Sequence, residues 1–211
     1  MSYRFHGRER VTIEIDGRCD PASVRVPSRL ALDLDGGRAR VSLFAFHVDD
    51  LRVAGVPLLR WSYAEVLWRV AVVDAGAPAW WVVACDLEPR GPRFAAARFV
   101  RYPVRHLPVI VDESQLVTGR RMSVVGDLAM GIAGAGESVD TTNESRTLLV
   151  GPDARWRVPW GDDNDPARMV AVRIERDSLS AATVGTPVEW AGTARVRSGR
   201  QHRCGVAEPS A

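Results

Sequence analysis

Apolar and polar side chains alternate along much of this 211-residue chain, and the alternation predicts a protein made mainly of β-strands. Residues 11–15 alternate in this way before Asp16 and Gly17, which is typical of a short half-buried strand that ends in a turn. Asp20 followed by Pro21 predicts a short helix, because an acidic N-cap and a proline at the first helical position both favour one. Helical periodicity is rare elsewhere, and its best example is a short segment at residues 109–117.

The clearest hairpin is predicted at Asp35, Gly36 and Gly37, which separate the apolar residues 30–34 from residues 38–48. Two consecutive glycines readily adopt the positive φ angles that a tight turn between antiparallel strands requires. The second arm is apolar on both faces, as in a strand that is covered on both sides. We therefore expect this arm to be a central strand of the sheet.

A second turn, at residues 75–78, separates the apolar residues 65–74 from residues 79–87. Residues 93–102 follow a further turn and are predicted to complete an antiparallel meander of three strands. Other strands are predicted at residues 116–125, 146–150, 167–174 and 187–196, and loops at residues 131–136 and 156–166.

These elements predict an α+β fold that is mainly antiparallel, with a curved sheet closed or half-closed like a barrel or cone and few peripheral helices. A chain of this length with 46% hydrophobic residues can form one large domain, which we assign to residues 1–198. The polar residues 199–211 are predicted to be a disordered C-terminal tail.

All 28 basic side chains other than histidine are arginine, and the chain contains no lysine. It therefore has no side-chain amine that could form a Schiff base. The 26 acidic residues nearly balance the arginines and leave a formal net charge of +2, so we expect no nucleic-acid partner.

The cysteines and histidines are too few and too scattered to indicate a metal site. The three cysteines are far apart and the four histidines show no ligand spacing, so we expect no metal, no other cofactor and no disulfide framework. No apolar run approaches the roughly 18 residues of a membrane span, and no secretory leader is evident. These patterns predict a soluble cytoplasmic protein without a membrane partner.

One acidic residue stands out as a candidate for catalysis. Tyr63 and Glu65 are two apart in a predicted strand, so both project from one face, and the carboxylate is surrounded by Val66, Leu67 and Trp68. If that face is enclosed, desolvation favours the neutral carboxyl group and prepares it as a general acid or base. If the face is exposed, Glu65 is an ordinary strand-end charge that can pair with Arg69.

A basic segment forms the second candidate region, because no acid occurs between Glu88 and Asp112. Its arginines either bind an anion, since a guanidinium grips a carboxylate through two parallel hydrogen bonds, or form a solvated basic edge of the sheet. His47 and His106 are further candidates for substrate contact, with a structural role as the alternative. The arginines are Arg90, Arg93, Arg98, Arg101 and Arg105.

Several short motifs follow one another in an order that resembles the acetoacetate decarboxylase superfamily. The resemblance covers roughly residues 10–110 and includes the hairpin described above. The motifs are Arg18-Cys19-Asp20-Pro21, Val26-Pro27-Ser28-Arg29-Leu30, Tyr63-Ala64-Glu65, Ala97-Arg98 and Tyr102-Pro103-Val104-Arg105. The resemblance implies a curved β-cone around a cavity, commonly in an oligomer, with Glu65 as the carboxylate of that cavity.

The chain departs from the family at its nucleophile. Val104 occupies the position that the resemblance assigns to the Schiff-base lysine, and Arg105 that of the neighbouring cation. Schiff-base decarboxylation is therefore excluded, and the absence of lysine excludes it in any other alignment of these motifs.

We expect a homo-oligomeric, cofactor-independent enzyme that dehydrates, cyclises or isomerises a small carbonyl or carboxylate compound. Glu65 would shuttle a proton next to a carbonyl group and Tyr63 would donate a hydrogen bond to the developing oxyanion. Arg18 or Arg105 would hold an anionic group, with Arg98, Arg101, His47 and His106 as further contacts. The alternative is a non-catalytic small-molecule-binding or structural protein of the same fold.

Overall fold

The computed structural model describes residues 3–119, 126–133, 139–140, 147–159 and 166–210. Within them the strands are β1 Tyr3–Cys19, β2 Ala31–Leu32, β3 Leu34–Asp35, β4 Arg38–Val53, β5 Val56–Asp74, β6 Ala77–Asp86, β7 Val104–Arg105, β8 Val109–Val111, β9 Gln115–Thr118, β10 Leu128–Ile132, β11 Val139–Asp140, β12 Thr147–Val150, β13 Trp156–Val158, β14 Ala167–Asp177, β15 Glu189–Trp190, β16 Thr193–Gly205 and β17 Glu208–Pro209. The helices are α1 Arg90–Ala95, continued by a π-turn at Ala96–Val100, and α2 Leu179–Val184, with a 3-10 turn at Pro21–Ser23. Residues 120–125, 134–136 and 160–165, on which parts of a predicted strand and two predicted loops fall, lie outside the described residues.

The long strands build the framework that positions the site. β16, β1, β4, β5 and β6 pair side by side in that order, and each of these pairings is antiparallel. Shorter strands extend the sheet, and β6 pairs in parallel with β7 and β12. This mostly antiparallel, unclosed sheet with few helices confirms the predicted fold class.

The two predicted hairpins are confirmed. Gly36 and Gly37 have φ angles of 57° and 78° in the turn between β3 and β4. Ala75 and Gly76 have φ angles of 50° and 83° between β5 and β6. β4 lies between β1 and β5, which is the central position that its two apolar faces predict.

Residues 93–102 and 109–117 are among the segments that differ from the sequence predictions. Residues 93–102, predicted as the third meander strand, instead lie mostly in α1 and its π-turn, because Ala95, Ala96 and Ala97 favour a helix and only one side of the segment is buried. Residues 109–117, predicted as helical, form β8 and most of β9, in keeping with the β-branched side chains at 109–111. We call residues 90–100 the cap segment.

The prediction of a disordered tail is wrong, whereas one domain over residues 1–198 stays a prediction. β16 runs to Gly205 and pairs with β1 from Arg195 to Gly205. Arg200, His202 and Cys204 alternate on its buried side. The strand was hidden in the sequence because two of these three inward residues are polar.

The two faces of the central sheet cover separate clusters of buried side chains. On one face Phe46, Leu67 and Val48 pack against the cap segment. On the other face Leu43, Val66 and Trp68 pack against β8, β9 and β10. A residue's parity along β5 therefore decides which cluster it joins.

Among the residues that the structure describes, no helix combines the length and the apolar character needed to cross a lipid bilayer.

Candidate functional site

A small cavity, which we call the Glu65 cavity, lies between the sheet and the cap segment. Most of its wall is aliphatic or aromatic, and the side chains in it that carry an ionisable group are Tyr63, Glu65, Tyr102, His202 and Cys204. Its volume is about 30 Å³, which is space for roughly one or two water molecules. The cavity combines a dry wall with a few convergent polar groups, as ligand sites commonly do.

Glu65 lies on the cavity face of β5, as the strand alternation with Leu67 requires. The residue is 2% exposed, and its Oε1 has no hydrogen-bond partner among the described residues. Burial raises the pKa of Glu65 to about 8, and a hydrogen bond with Cys85 opposes this increase only in part. Arg69, the alternative partner considered from the sequence, binds Glu14 instead. At neutral pH the Glu65 carboxyl group therefore holds a proton.

Two tyrosine hydroxyl groups share the cavity with this carboxyl group. Tyr63 precedes Glu65 on the same strand face, and Tyr102 follows the cap segment. The hydroxyl oxygen of Tyr102 is buried and has no hydrogen-bond partner among the described residues. Burial raises the pKa of both tyrosines well above the ordinary value, so both hydroxyl groups stay protonated and can donate hydrogen bonds.

A buried histidine and carboxylate form a third part of the site. His202 of β16 lines the cavity, and its Nδ1 lies 3.0 Å from Oε1 of Glu9 in β1. The Thr12 hydroxyl donates a 2.6 Å hydrogen bond to the other oxygen, Glu9 Oε2. A β-bulge between Glu9 and Val11 brings Glu9 and Thr12 to the same face, although residues three apart in a regular strand face opposite ways.

The pair of residues at the predicted nucleophile position divides between the two faces of the sheet. Val104 packs against the cluster of the Glu65 cavity, opposite Cys85. Arg105 extends to the other face, where its Nε donates a 2.6 Å hydrogen bond to the fully buried Asp86 and its Nη1 donates one to Thr183. The structure thus brings Val104 to the cavity cluster and holds Arg105 in a separate polar cluster.

The other predicted contact residues lie outside the cavity wall. Arg18 is exposed and pairs with Asp35. Arg98 and Arg101 are exposed on or next to the cap segment, with Arg101 stacked on the Trp156 ring at 4.0 Å.

The two predicted histidines are also outside the cavity. His106 is exposed, and the Nε2 of His47 lies 3.5 Å from Oδ1 of Asp49. His47 pairs with Ala64, so it belongs to the face opposite Glu65. Of the predicted site residues, the structure brings only Tyr63 and Glu65 together in the cavity.

Three functional groups were missed in the sequence, namely Tyr102, Glu9 and His202. Tyr102 was noticed only as part of a motif, and His202 fell in the segment predicted to be a tail. Residues 200, 202 and 204 share the buried face of β16, but they lie opposite Glu9, Gly7 and Phe5 of β1 and two of the three are polar, so no apolar alternation marks this strand. The link from Glu9 to Thr12 depends on the bulge, which no local pattern indicates.

No cluster of three or more histidine, cysteine or acidic side chains suited to a metal ion occurs among the described residues. The ionisable groups that line the cavity are able to donate or accept hydrogen bonds.

Comparison with known proteins gives both a family and a fold. The family model DUF2071, described as an uncharacterised conserved protein, matches residues 18–189. No curated protein matches the chain.

Several solved structures share the fold at low sequence identity. The enduracididine biosynthesis enzyme MppR in complex with pyruvate has a TM-score of 0.68 and 12% identity, over 99% of this chain and 91% of that one. An acetoacetate decarboxylase-like enzyme from Sphingomonas wittichii RW1 has a TM-score of 0.63 and 14% identity, over 100% and 94%. An acetoacetate decarboxylase has a TM-score of 0.61 and 17% identity, over 100% and 90%. At these identities the likeness shows the fold alone, which is that of acetoacetate decarboxylase-like proteins.

Proposed function

This chain belongs to the DUF2071 family, and we propose that it is a cofactor-independent enzyme that transfers protons on a small carbonyl or carboxylate compound bound in the Glu65 cavity. Dehydration, cyclisation and isomerisation all begin with such a transfer next to a carbonyl group. MppR, which shares the fold, was crystallised with pyruvate, a compound of this class. The proposal excludes a Schiff base, because the chain has no lysine.

The observation that carries the proposal is the environment of Glu65. Its carboxyl group is buried without a cation beside it, and its Oε1 has no partner among the described residues. A buried polar atom without a hydrogen bond costs free energy of roughly 1–3 kcal/mol, so an oxygen left in this state points to a ligand. The pKa of about 8 keeps the group protonated at neutral pH, as a general acid requires.

The two tyrosines supply the complementary electrostatics. A carbonyl oxygen that gains negative charge during proton transfer needs hydrogen-bond donors fixed in advance. Tyr63 and Tyr102 offer such donors in the dry wall of the cavity. We propose that they bind the carbonyl oxygen while Glu65 exchanges a proton with the substrate.

A substrate of this class is larger than the cavity volume of about 30 Å³, so binding requires part of the wall to move. The cap segment contributes Ala95, Ala96 and Val100 to the wall and is joined to the sheet through short loops. We propose that this segment moves outward for entry. Arg98 and Arg101, which lie on its outer side, would then meet an anionic group at the mouth, whereas Arg18 and Arg105 have carboxylate partners elsewhere.

Deuterium exchange tests the proposal without knowledge of the natural substrate. Pyruvate and 2-oxobutyrate are incubated with the protein in D₂O, and loss of the proton signal at the carbon beside the carbonyl group is followed by NMR. The wild type should accelerate exchange, and Glu65→Gln should lower the rate at least about tenfold. Glu208→Gln, at an exposed glutamate of β17, is the matched control and should keep the rate. An equal rate in wild type and Glu65→Gln contradicts the role of Glu65.

A second candidate function is a non-catalytic binding or structural role, which the small cavity volume and the apolar Val104 favour. In that case Glu65 shapes the cavity without transferring a proton. Native mass spectrometry of a co-purifying ligand and melting temperatures across a panel of organic acids separate the two. A ligand that raises the melting temperature while no exchange occurs supports the non-catalytic role.

We further propose a homo-oligomer in a reducing compartment such as the cytoplasm. Leu58 is 95% exposed and Phe94 64% exposed, so both apolar side chains are available for contacts between copies of the chain. All three cysteines are unpaired and buried, as expected where thiols stay reduced. Light scattering coupled to size exclusion measures the assembly, and a monomeric mass contradicts it.

A further inference from the structure

We infer that His202, oriented by Glu9, is a second catalytic residue of the Glu65 cavity and acts as the base for which Glu65 is the acid. The inference rests on the proposed function and deepens it, since it limits the substrate to carbonyl compounds that can enolise. A base and an acid in one cavity allow a proton to leave carbon while another reaches oxygen.

The first support is the burial and geometry of the His202 ring. His202 is 3% exposed and lines the cavity. Its ring centroid lies 5.3 Å from that of Phe46, which is the cross-strand neighbour of Glu65. The histidine and the glutamate therefore belong to the same face of the sheet and border the same space.

The second support is the carboxylate behind the ring. Burial alone would raise the pKa of Glu9, but its contacts with His202 and Thr12 and the charge of Arg200 outweigh this effect and lower the pKa. Glu9 is thus ionised at neutral pH and accepts the Nδ1 proton of His202 at 3.0 Å. A carboxylate in this position fixes the orientation of the imidazole ring, as a general base requires.

The Glu9 carboxylate is itself held in place, which a positioning group requires. The Thr12 hydroxyl donates to Glu9 Oε2 at 2.6 Å, so both carboxylate oxygens have a partner. The bulge in β1 that makes this contact possible interrupts regular pairing with β4. Bulges of this kind occur often where a strand directs a side chain towards an active site.

The proposed reaction moves one proton from carbon to His202 and another from Glu65 to oxygen. His202 Nε2 takes a proton from the carbon beside the carbonyl group, and the electron pair of that C–H bond forms the C=C bond of an enol. The carbonyl π pair moves to oxygen, which takes the proton of the Glu65 carboxyl group. Isomerisation results when the proton returns to another carbon or to the other face of the enol, and solvent exchange results when a solvent deuteron replaces that proton. The two residues then return to their starting states.

The competing interpretation is that Glu9 and His202 only hold β1 and β16 together. Both interpretations predict that removal of either partner lowers stability, because a buried charge loses its partner. They differ in chemical rescue, since a small base in solution can replace a catalytic imidazole but cannot restore proton transfer that never used one. Rescue of exchange is therefore the decisive measurement.

The experiment repeats deuterium exchange on pyruvate and 2-oxobutyrate with His202→Gln, His202→Ala, Glu9→Gln and Glu65→Gln. His6→Gln, at an exposed histidine of β1, is the matched control. We expect exchange to fall at least about tenfold in His202→Gln and to recover several-fold in His202→Ala when free imidazole is added. Glu9→Gln should lower the maximal rate without changing the KM, because it acts through His202.

Each outcome decides the inference. Exchange that needs Glu65 but persists in His202→Gln overturns the role of His202 and leaves the proposed function intact. Absence of exchange in the wild type overturns both. If neither His202 variant folds, as judged by thermal melting, Glu9→Gln decides: a maximal rate at least about threefold lower supports the inference, and an unchanged rate overturns it.

Discussion

The buried Glu65 and the partly buried Glu14 face the same side of the sheet, and their surroundings give them opposite properties. Glu65 lies in a largely apolar cavity with a thiol as its hydrogen-bond partner, and its pKa rises to about 8. Glu14 lies among Arg69, Arg195 and Arg197, and their charges outweigh the effect of burial and lower its pKa. We call these four residues the Glu14 cluster.

The difference shows that the location of cations decides whether burial leaves a carboxyl group of this fold neutral or charged. Arg69 follows Glu65 by four residues on the same face of β5, yet it binds Glu14 and stacks on the rings of Phe44 and Trp80 at 4.6 and 4.8 Å. Because these contacts hold the guanidinium away from the cavity, Glu65 keeps its proton. One region thus holds its carboxylate in ion pairs, and the other keeps a protonated carboxyl group, as the proposed exchange of a proton requires.

The largest effect is expected from pH acting on Glu65. Its pKa is about 8 in the folded protein and near 4.5 when solvated, so the free energy of unfolding should be highest below the solvated value and fall until pH exceeds about 8. Between pH 5 and pH 8 the wild type should lose roughly 4 kcal/mol relative to Glu65→Gln, which cannot ionise. Urea unfolding of both proteins at several pH values measures the difference. A difference that is independent of pH contradicts the raised pKa.

The Glu14 cluster should respond to loss of its acid rather than to mild changes in pH. Glu14→Gln leaves the arginines without their shared carboxylate, and we expect a loss of about 3 kcal/mol in the free energy of unfolding at pH 7. Glu208→Gln, on the surface, provides the reference for an ordinary change of charge. Equal stabilities of these two variants would mean that the cluster adds nothing.

A cation placed in the cavity should make Glu65 resemble Glu14. Val104→Lys puts an amine beside Cys85, whose thiol contacts Glu65, and we expect the pKa of Glu65 to fall by roughly 1–3 units. Carbon NMR of labelled glutamate, with Glu65→Gln for assignment, follows the titration.

Because the natural chain lacks lysine, the same variant also tests the position of Val104. If residue 104 faces the cavity, pyruvate should form a Schiff base with the lysine of the Val104→Lys variant. Borohydride reduction traps this adduct for detection by mass spectrometry, and the wild type should give none. Val111→Lys, on the other face, serves as the control. Trapping on both variants alike would argue against this position for Val104.

The smallest effect should come from the thiol beside Glu65. The hydrogen bond with Cys85 lowers the pKa of Glu65, so Cys85→Ala should raise it slightly further, and Cys85→Ser should leave it near the wild-type value. The same NMR titration detects the change. A decrease in Cys85→Ala would show that the thiol acts on Glu65 in some other way.

The position of Glu65 beside Tyr63 could be predicted from the sequence, whereas the Glu14 cluster could not. The two-residue spacing of Tyr63 and Glu65 is local, so strand periodicity predicts their shared face. Glycine turns likewise predict the hairpins that set the order of the long strands. The Glu14 cluster combines residues about 55 and 180 positions apart in the chain, and no local pattern encodes such a meeting.

The sequence predictions failed where tertiary packing, and not the polarity of the residues, decides which side chains are buried. Residues 93–102 carry apolar side chains next to arginines, but Phe94 and Phe99 point outward, and Ala95 and Ala96 between them pack inward as part of a helix. The outward phenylalanines reverse the usual assignment of apolar residues to the core. In β16 the polar His202 points inward because it pairs with Glu9 of the neighbouring strand β1.

The bulge between Glu9 and Val11 also makes β1 sensitive to the number of its residues. Before it, Phe5 packs in the cavity cluster, and after it Ile13 packs in the cluster of the opposite face. Deletion of the intervening Arg10, an exposed residue, would leave Glu9 and Thr12 two apart on one face and keep both halves of the strand facing as they do now, whereas deletion of a residue on either side of the bulge would turn one half inside out. A change in the length of this strand should therefore be tolerated at the bulge and at few other positions.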